Sequence, residues 1–109
     1  MKDSENIIVK STFEFALAII EYCEVLEKER RFVIANQLLK SGTSIGANVR
    51  EAQNAESKND FIHKFKIAAK EVEETIYWLE LCSMSKNFPD CSSLNNQIQI
   101  ISKIINKII

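Results

Sequence analysis

Glycine and proline are almost missing from this chain. Its 109 residues include two glycines and one proline. Frequent turns draw on both residue types. Their scarcity argues against a fold of many short elements and for long helices with few connections. Histidine occurs once, as His63. A di-metal bundle centre needs Glu-x-x-His on two helices, so that arrangement is excluded. Cysteine is scarce too: Cys23, Cys82 and Cys91 form no CxxC. An odd number cannot pair completely within one chain, and the spacing matches no metal motif. Free buried thiols in a reducing cytosol are the expectation. Strong charge of one sign is also absent, since 14 basic and 15 acidic side chains leave a formal net charge of −1. Nucleic-acid binding would therefore need a local basic patch, or one face aligned over several subunits. No apolar run approaches the ~20 residues of a membrane span. The N-terminal MKDSENIIVK lacks the apolar core of a signal peptide. A cytoplasmic location without membrane contact is expected.

What is present is helical periodicity. The chain is 46% hydrophobic and 27% charged, a globular balance. The pattern predicts one all-α domain, an antiparallel up-down four-helix bundle over residues 1–109. The helices are expected at about 4–29, 31–55, 57–85 and 92–108. Ser4 is placed to cap the first, with Asp3 and Glu5 near its positive end. Ile8, Phe15, Ile19 and Leu26 form its stripe, and Phe13, Ala16, Leu17 and Ile20 widen it. The second helix buries Ile34, Leu38, Ile45, Val49 and Ala52. The third opens with the S-x-x-D spacing of Ser57 and Asp60. It holds Phe61, Phe65, Ala68, Val72, Ile76 and Leu79 in one narrow arc. Asn87, Pro89 and Asp90 break the pattern. The fourth helix repeats Leu94, Ile98, Ile101, Ile105 and Ile108. That stripe also suits an interfacial membrane anchor, but its polar face is mostly amide and a bundle needs the same stripe.

Both glycines fall inside the second helix, four apart, in the run Ser41-Gly42-Thr43-Ser44-Ile45-Gly46-Ala47. A helical glycine costs roughly 1 kcal/mol relative to alanine. Close approach of another helix, within the chain or between copies, is the expected compensation. Gly42, Ser44, Gly46 and Asn48 are the predicted helix-packing or oligomer contact. Ser44 is expected to bond back to its own helix, and Asn48 to bond a neighbouring helix. A phosphate loop would need a strand before the run and a lysine after it, and neither is there. No nucleophile motif or Ser/His/Asp order suggests an enzyme, and no cofactor is implied.

The best candidate binding feature is the start of the third helix. Residues 58–70 carry Lys58, His63, Lys64, Lys66 and Lys70 against Asp60. Residues 71–80 carry Glu71, Glu73, Glu74 and Glu80 and no basic residue. His63, Lys66, Lys70 and Tyr77 share a face opposite Phe61 and Phe65. Repeated around a ring, such a stripe could contact phosphates. The alternative is a solvated face with i,i+4 pairs such as Asp60–Lys64 and Lys70–Glu74. Arg30 and Arg31, interleaved with Glu27 and Glu29, predict a neutral, salt-laced corner.

Several of these residues resemble one family. Ser41-Gly42-Thr43-Ser44-Ile45-Gly46-Ala47-Asn48, Glu51-Ala52, Ala55-x-Ser57-Lys58-x-Asp60-Phe61-x-x-Lys64 and Glu74-Thr75-x-Tyr77-Trp78-Leu79 look like the bacterial four helix bundle protein family. That family includes proteins encoded by intervening sequences of large-subunit ribosomal RNA genes. It is related to the accessory variability determinant (Avd) of diversity-generating retroelements. The resemblance covers roughly residues 8–108. It implies a bundle that assembles with itself as a homopentameric ring. The Avd relatives bind nucleic acid through a strongly basic surface, from which this slightly acidic chain departs. The expected function is a non-enzymatic oligomeric scaffold for a partner protein. The alternative is a nucleic-acid-binding accessory protein that uses the third helix.

Overall fold

The computed structural model describes the backbone of residues 3–109 and the side chains of residues 7–109. It contains α1 (Asp3–Lys28), α2 (Phe32–Ala52), α3 (Lys58–Met84) and α4 (Ser92–Ile108). No strand occurs among the described residues. The expected cap at Ser4 lies outside the described side chains.

The ends of the helices follow from local chemistry. At the end of α1, the Arg31 amide bonds the Leu26 carbonyl and the Arg30 amide bonds the Glu27 carbonyl. Arg30 has a left-handed φ of 64°. This is the Schellman arrangement that satisfies the last helical carbonyls. Helix α2 stops at Ala52, three residues short of the expected Ala55. Its last carbonyls are taken by the amides of Gln53, Asn54 and Ala55 in tighter turns, and the Gln53 side chain bonds the Val49 carbonyl at 3.0 Å. Ser57 then caps α3, its hydroxyl accepting from the Asp60 amide at 3.0 Å. Asp60 in turn accepts from the Glu56 amide. The α3–α4 connection turns at Asn87, whose φ is 65°. It is held from outside: the Tyr22 hydroxyl donates to the Pro89 carbonyl at 2.8 Å. The Arg31 guanidinium lies 4.0 Å over the Phe88 ring and pairs with Glu29 at 2.8 Å. The salt-laced corner is thus present, and it also clamps the next connection.

The four helices form a closed square in which α1 and α3 each pack on α2 and α4, while the backbones of the diagonal pairs α1/α3 and α2/α4 stand farther apart. Contacts run in opposite directions along neighbours. Gly42 faces Ile19 and Gly46 faces Thr12. Ser41 meets Thr75 and Glu51 meets Lys64. The α1/α2 and α2/α3 seams are therefore antiparallel, and the bundle is a rod of 45 × 20 × 18 Å.

The core takes the predicted stripes. Ile8, Phe15, Ile19 and Leu26 are buried against Leu38, Ile45 and Val49 of α2, Phe65 and Leu79 of α3, and Ile98, Ile101 and Ile105 of α4. Each such side chain contributes about 1.5–3 kcal/mol by leaving water. One expectation fails. Phe13, Leu17 and Ile20 do not widen this stripe; they are 51%, 49% and 40% exposed. They recur at i, i+4, i+7 on a separate arc of α1, and the core has no room for two arcs of one helix.

Candidate functional site

The seam between α1 and α2 explains the glycines. A Cβ added at Gly42 would stand 2.9 Å from two branch carbons of Ile19, and one added at Gly46 would stand 3.2 Å from the Thr12 carbonyl oxygen. Gly46 therefore lets one helix lie against the backbone of the other. The predicted close approach occurs within the chain. Ser44 bonds back to the Lys40 carbonyl at 2.6 Å, as expected. Asn48 does not reach a neighbouring helix: its amide donates to the Ser44 carbonyl one turn earlier, at 2.9 Å. It sits at the half-buried edge of α2, where that carbonyl is within reach. The buried bond between helices is made instead by Ser41 and Thr75, whose hydroxyls meet at 2.9 Å. Nothing in the spacing of Ser41 and Thr75 marks them as partners, since they lie on different helices. Only the register of α2 on α3 brings them together.

Above the glycine seam lies an open groove of about 270 Å³. Val9, Thr12, Phe13, Ala16, Thr43, Gly46, Ala47 and Arg50 line it. Arg50 lies 5.5 Å from the centre of the Phe13 ring. Leu17 and Ile20 continue the apolar arc of α1 beyond Phe13. Ile7 and Val25 are also exposed on this helix, at 53% and 41%. Helix α1 is thus apolar around most of its circumference. A count of apolar arcs on α1, rather than one merged stripe, would have shown this in the sequence.

The outer face of α3 carries His63, Lys66, Lys70 and Tyr77, all exposed. Neither lysine pairs with a carboxylate among the described residues, nor does His63. Lys58 is exposed at the helix start but lies on a different side. Lys64 leaves the group altogether. Its ammonium reaches Glu51 of α2 at 3.4 Å, so the expected Asp60–Lys64 pair does not form, Asp60 being engaged in the cap. Trp78 is half-buried, touches Tyr77 edge-on at 5.1 Å, and its indole N–H is buried without a hydrogen-bond partner. Nearby, burial and the neighbouring Glu74 raise the pKa of Glu71, opposed by Lys40.

The three cysteines are free and buried, and burial is the main cause holding each thiol above its ordinary pKa. Cys23 is pushed up to about 12. Among the described residues no group of three His, Cys, Asp or Glu side chains is placed to hold a metal ion. No described helix is long and apolar enough to cross a membrane.

Comparison with known proteins gives a consistent picture. The pattern of the family described as 23S rRNA-intervening sequence protein matches residues 4–107. A crystal structure from Bacteroides thetaiotaomicron, a protein with unknown function from the S23 ribosomal protein family, superposes with a TM-score of 0.90. It is 41% identical, over 96% of both chains. No match was found among curated proteins.

Proposed function

Because the chain belongs to the 23S rRNA-intervening sequence protein family, whose description names no chemistry, we propose that it works by presenting a surface. It is a non-enzymatic, self-associating four-helix scaffold, and its first partner is another copy of itself. The observation that carries this is the second apolar arc of α1. Helices that are apolar all round belong in protein interiors. On this chain the outer arc, Phe13, Leu17 and Ile20, faces water. The arc supplies knobs, and the groove beside Gly46 supplies a hole. A knob and a hole at different places on one surface join copies head to tail, which closes into a ring when the rotation permits. By family resemblance, the ring proposed here has five copies.

The test is the mass of the particle in solution. Light scattering on the wild type is expected to give a multiple of 12.5 kDa. Leu17→Lys with Ile20→Lys is expected to give a helical monomer. A wild-type monomer at every concentration would end the proposal.

A second reading rests on the outer face of α3. His63, Lys66 and Lys70 lie beside Tyr77 there, exposed. On a ring this stripe repeats and suits a nucleic-acid backbone, with Tyr77 as a stacking platform. Binding to RNA or DNA is then expected to weaken steeply with salt and to be lost in Lys66→Glu/Lys70→Glu. Absent or salt-insensitive binding leaves the protein-scaffold reading alone.

A further inference from the structure

Two cysteines that stand apart in the sequence share one corner of the bundle. Cys82 lies in the last turns of α3, and Cys91 immediately precedes α4. The Cys91 sulfur lies 3.6 Å from the Leu79 carbonyl oxygen. Cys82 follows Leu79 by three residues and so lies on the same side of α3. The Cys91 sulfur is therefore docked on the stretch of helix that carries Cys82. Both residues line one surface pocket of about 280 Å³, with Ser83, Phe88, Asp90 and Asn95. The Tyr22 hydroxyl holds the intervening connection by donating to the Pro89 carbonyl at 2.8 Å. Cys23 is buried on α1 and is not among the residues lining this pocket.

We propose that Cys82 and Cys91 form a dithiol site that a low-molecular-weight disulfide converts into an intramolecular disulfide across the α3–α4 corner. Cys91 reacts first. It ends the 85–91 connection, immediately before α4, and so is uncovered when that connection opens. The Asn95 amide lies 3.5 Å from its sulfur. The Cys91 thiolate attacks one sulfur of the reagent, forms a mixed disulfide and releases one thiolate, which takes up a proton. The Cys82 thiolate then attacks the Cys91 sulfur and expels the second thiol. Two protein thiols are oxidised, one reagent disulfide is reduced to two thiols, and the atoms balance. Burial raises both thiol pKa values, so the exchange is slow and proceeds when the 85–91 connection opens. The bridge fastens α4 to α3 and leaves the outer arc of α1 untouched, so it is independent of self-association.

The full-length reduced protein is incubated with oxidised glutathione under native conditions. Free thiols are then alkylated and peptides mapped after cleavage at Lys86, which separates the two cysteines. The expected product has lost two thiols, retains no glutathione, and links Cys82 to Cys91. The same product forms in Cys23→Ala. Cys82→Ala stops with one glutathione on Cys91. The bridged wild type melts higher than the reduced protein, and dithiothreitol reverses the gain. Three free thiols after treatment of the native protein, a bridge that includes Cys23, or disulfides only between chains would each overturn the proposal.

Discussion

The two left-handed residues among those described, Arg30 and Asn87, are not glycines, and the two glycines are not left-handed. That inversion says what each position is for. Arg30 closes the Schellman turn of α1, where a Cβ is unfavourable. It is exposed, and Arg31 rather than Arg30 makes the contacts with Glu29, Asn87 and Phe88. Arg30→Gly is therefore expected to stabilise the protein by about 0.5–1 kcal/mol, read as a higher midpoint in urea. At Gly42 the sign reverses. Alanine gains about 1 kcal/mol of helix propensity, but its Cβ meets Ile19 branch carbons at 2.9 Å. Ile19 is fully buried and stiff at χ1, so it cannot turn aside. Gly42→Ala is expected to lower the melting temperature, the net loss being about 1 kcal/mol or more. Gly46→Ala meets a milder contact of 3.2 Å and is expected to fall near neutral. If Gly42→Ala melts no lower than Gly46→Ala, the seam is looser than the geometry states. The role of the glycines was legible because an unexplained cost inside a helix asks for a close neighbour. The partner of Asn48 was not legible, because a half-buried amide chooses among acceptors that only the packed neighbours define.

Helices α3 and α1 show how differently elements can be read. The narrow arc of α3 and its Ser57–Asp60 start were plain in the sequence, since both depend on spacing within one segment. The charge segregation along α3 was plain too, but not its cross-helix outcome. Lys64 pairs with Glu51 on α2, and Glu71 is left facing Glu74, with Lys40 as its counter-charge. The folded-state pKa of Glu71 is raised, mainly by burial. The native protein therefore keeps a proton over a range where the unfolded chain has lost it. Stability from this group is greatest below the ordinary glutamate value of about 4.3 and declines as pH rises through the raised value. Glu71→Gln removes the penalty. At about pH 7 the variant is expected to melt above the wild type, and the difference should close near pH 4. A variant that melts lower at neutral pH would show that attraction to Lys40 outweighs burial. In α1 the spacing was legible and its meaning was not. Two arcs on one helix look like one broad stripe until the width of the core is known.

At the scale of the whole molecule, the question is what covers the outer arc of α1. A bundle held only by its own core has a melting temperature that ignores protein concentration. If copies bind the native state and not the unfolded one, association adds to stability by mass action. Phe13, Leu17 and Ile20 would then contribute to the stability of the assembly while contributing little to the isolated rod, because they are half exposed in it. The wild-type melting temperature is expected to climb with concentration. Leu17→Lys removes the dependence, and its value should approach that of the most dilute wild type. This separates assembly from folding, which a simple loss of stability does not. A lysine that damaged the bundle itself would lower the melting temperature below the dilute wild-type limit. A wild-type curve that stays flat with concentration would leave the arc without a partner copy. The basic face of α3 would then be the surface that remains to be explained.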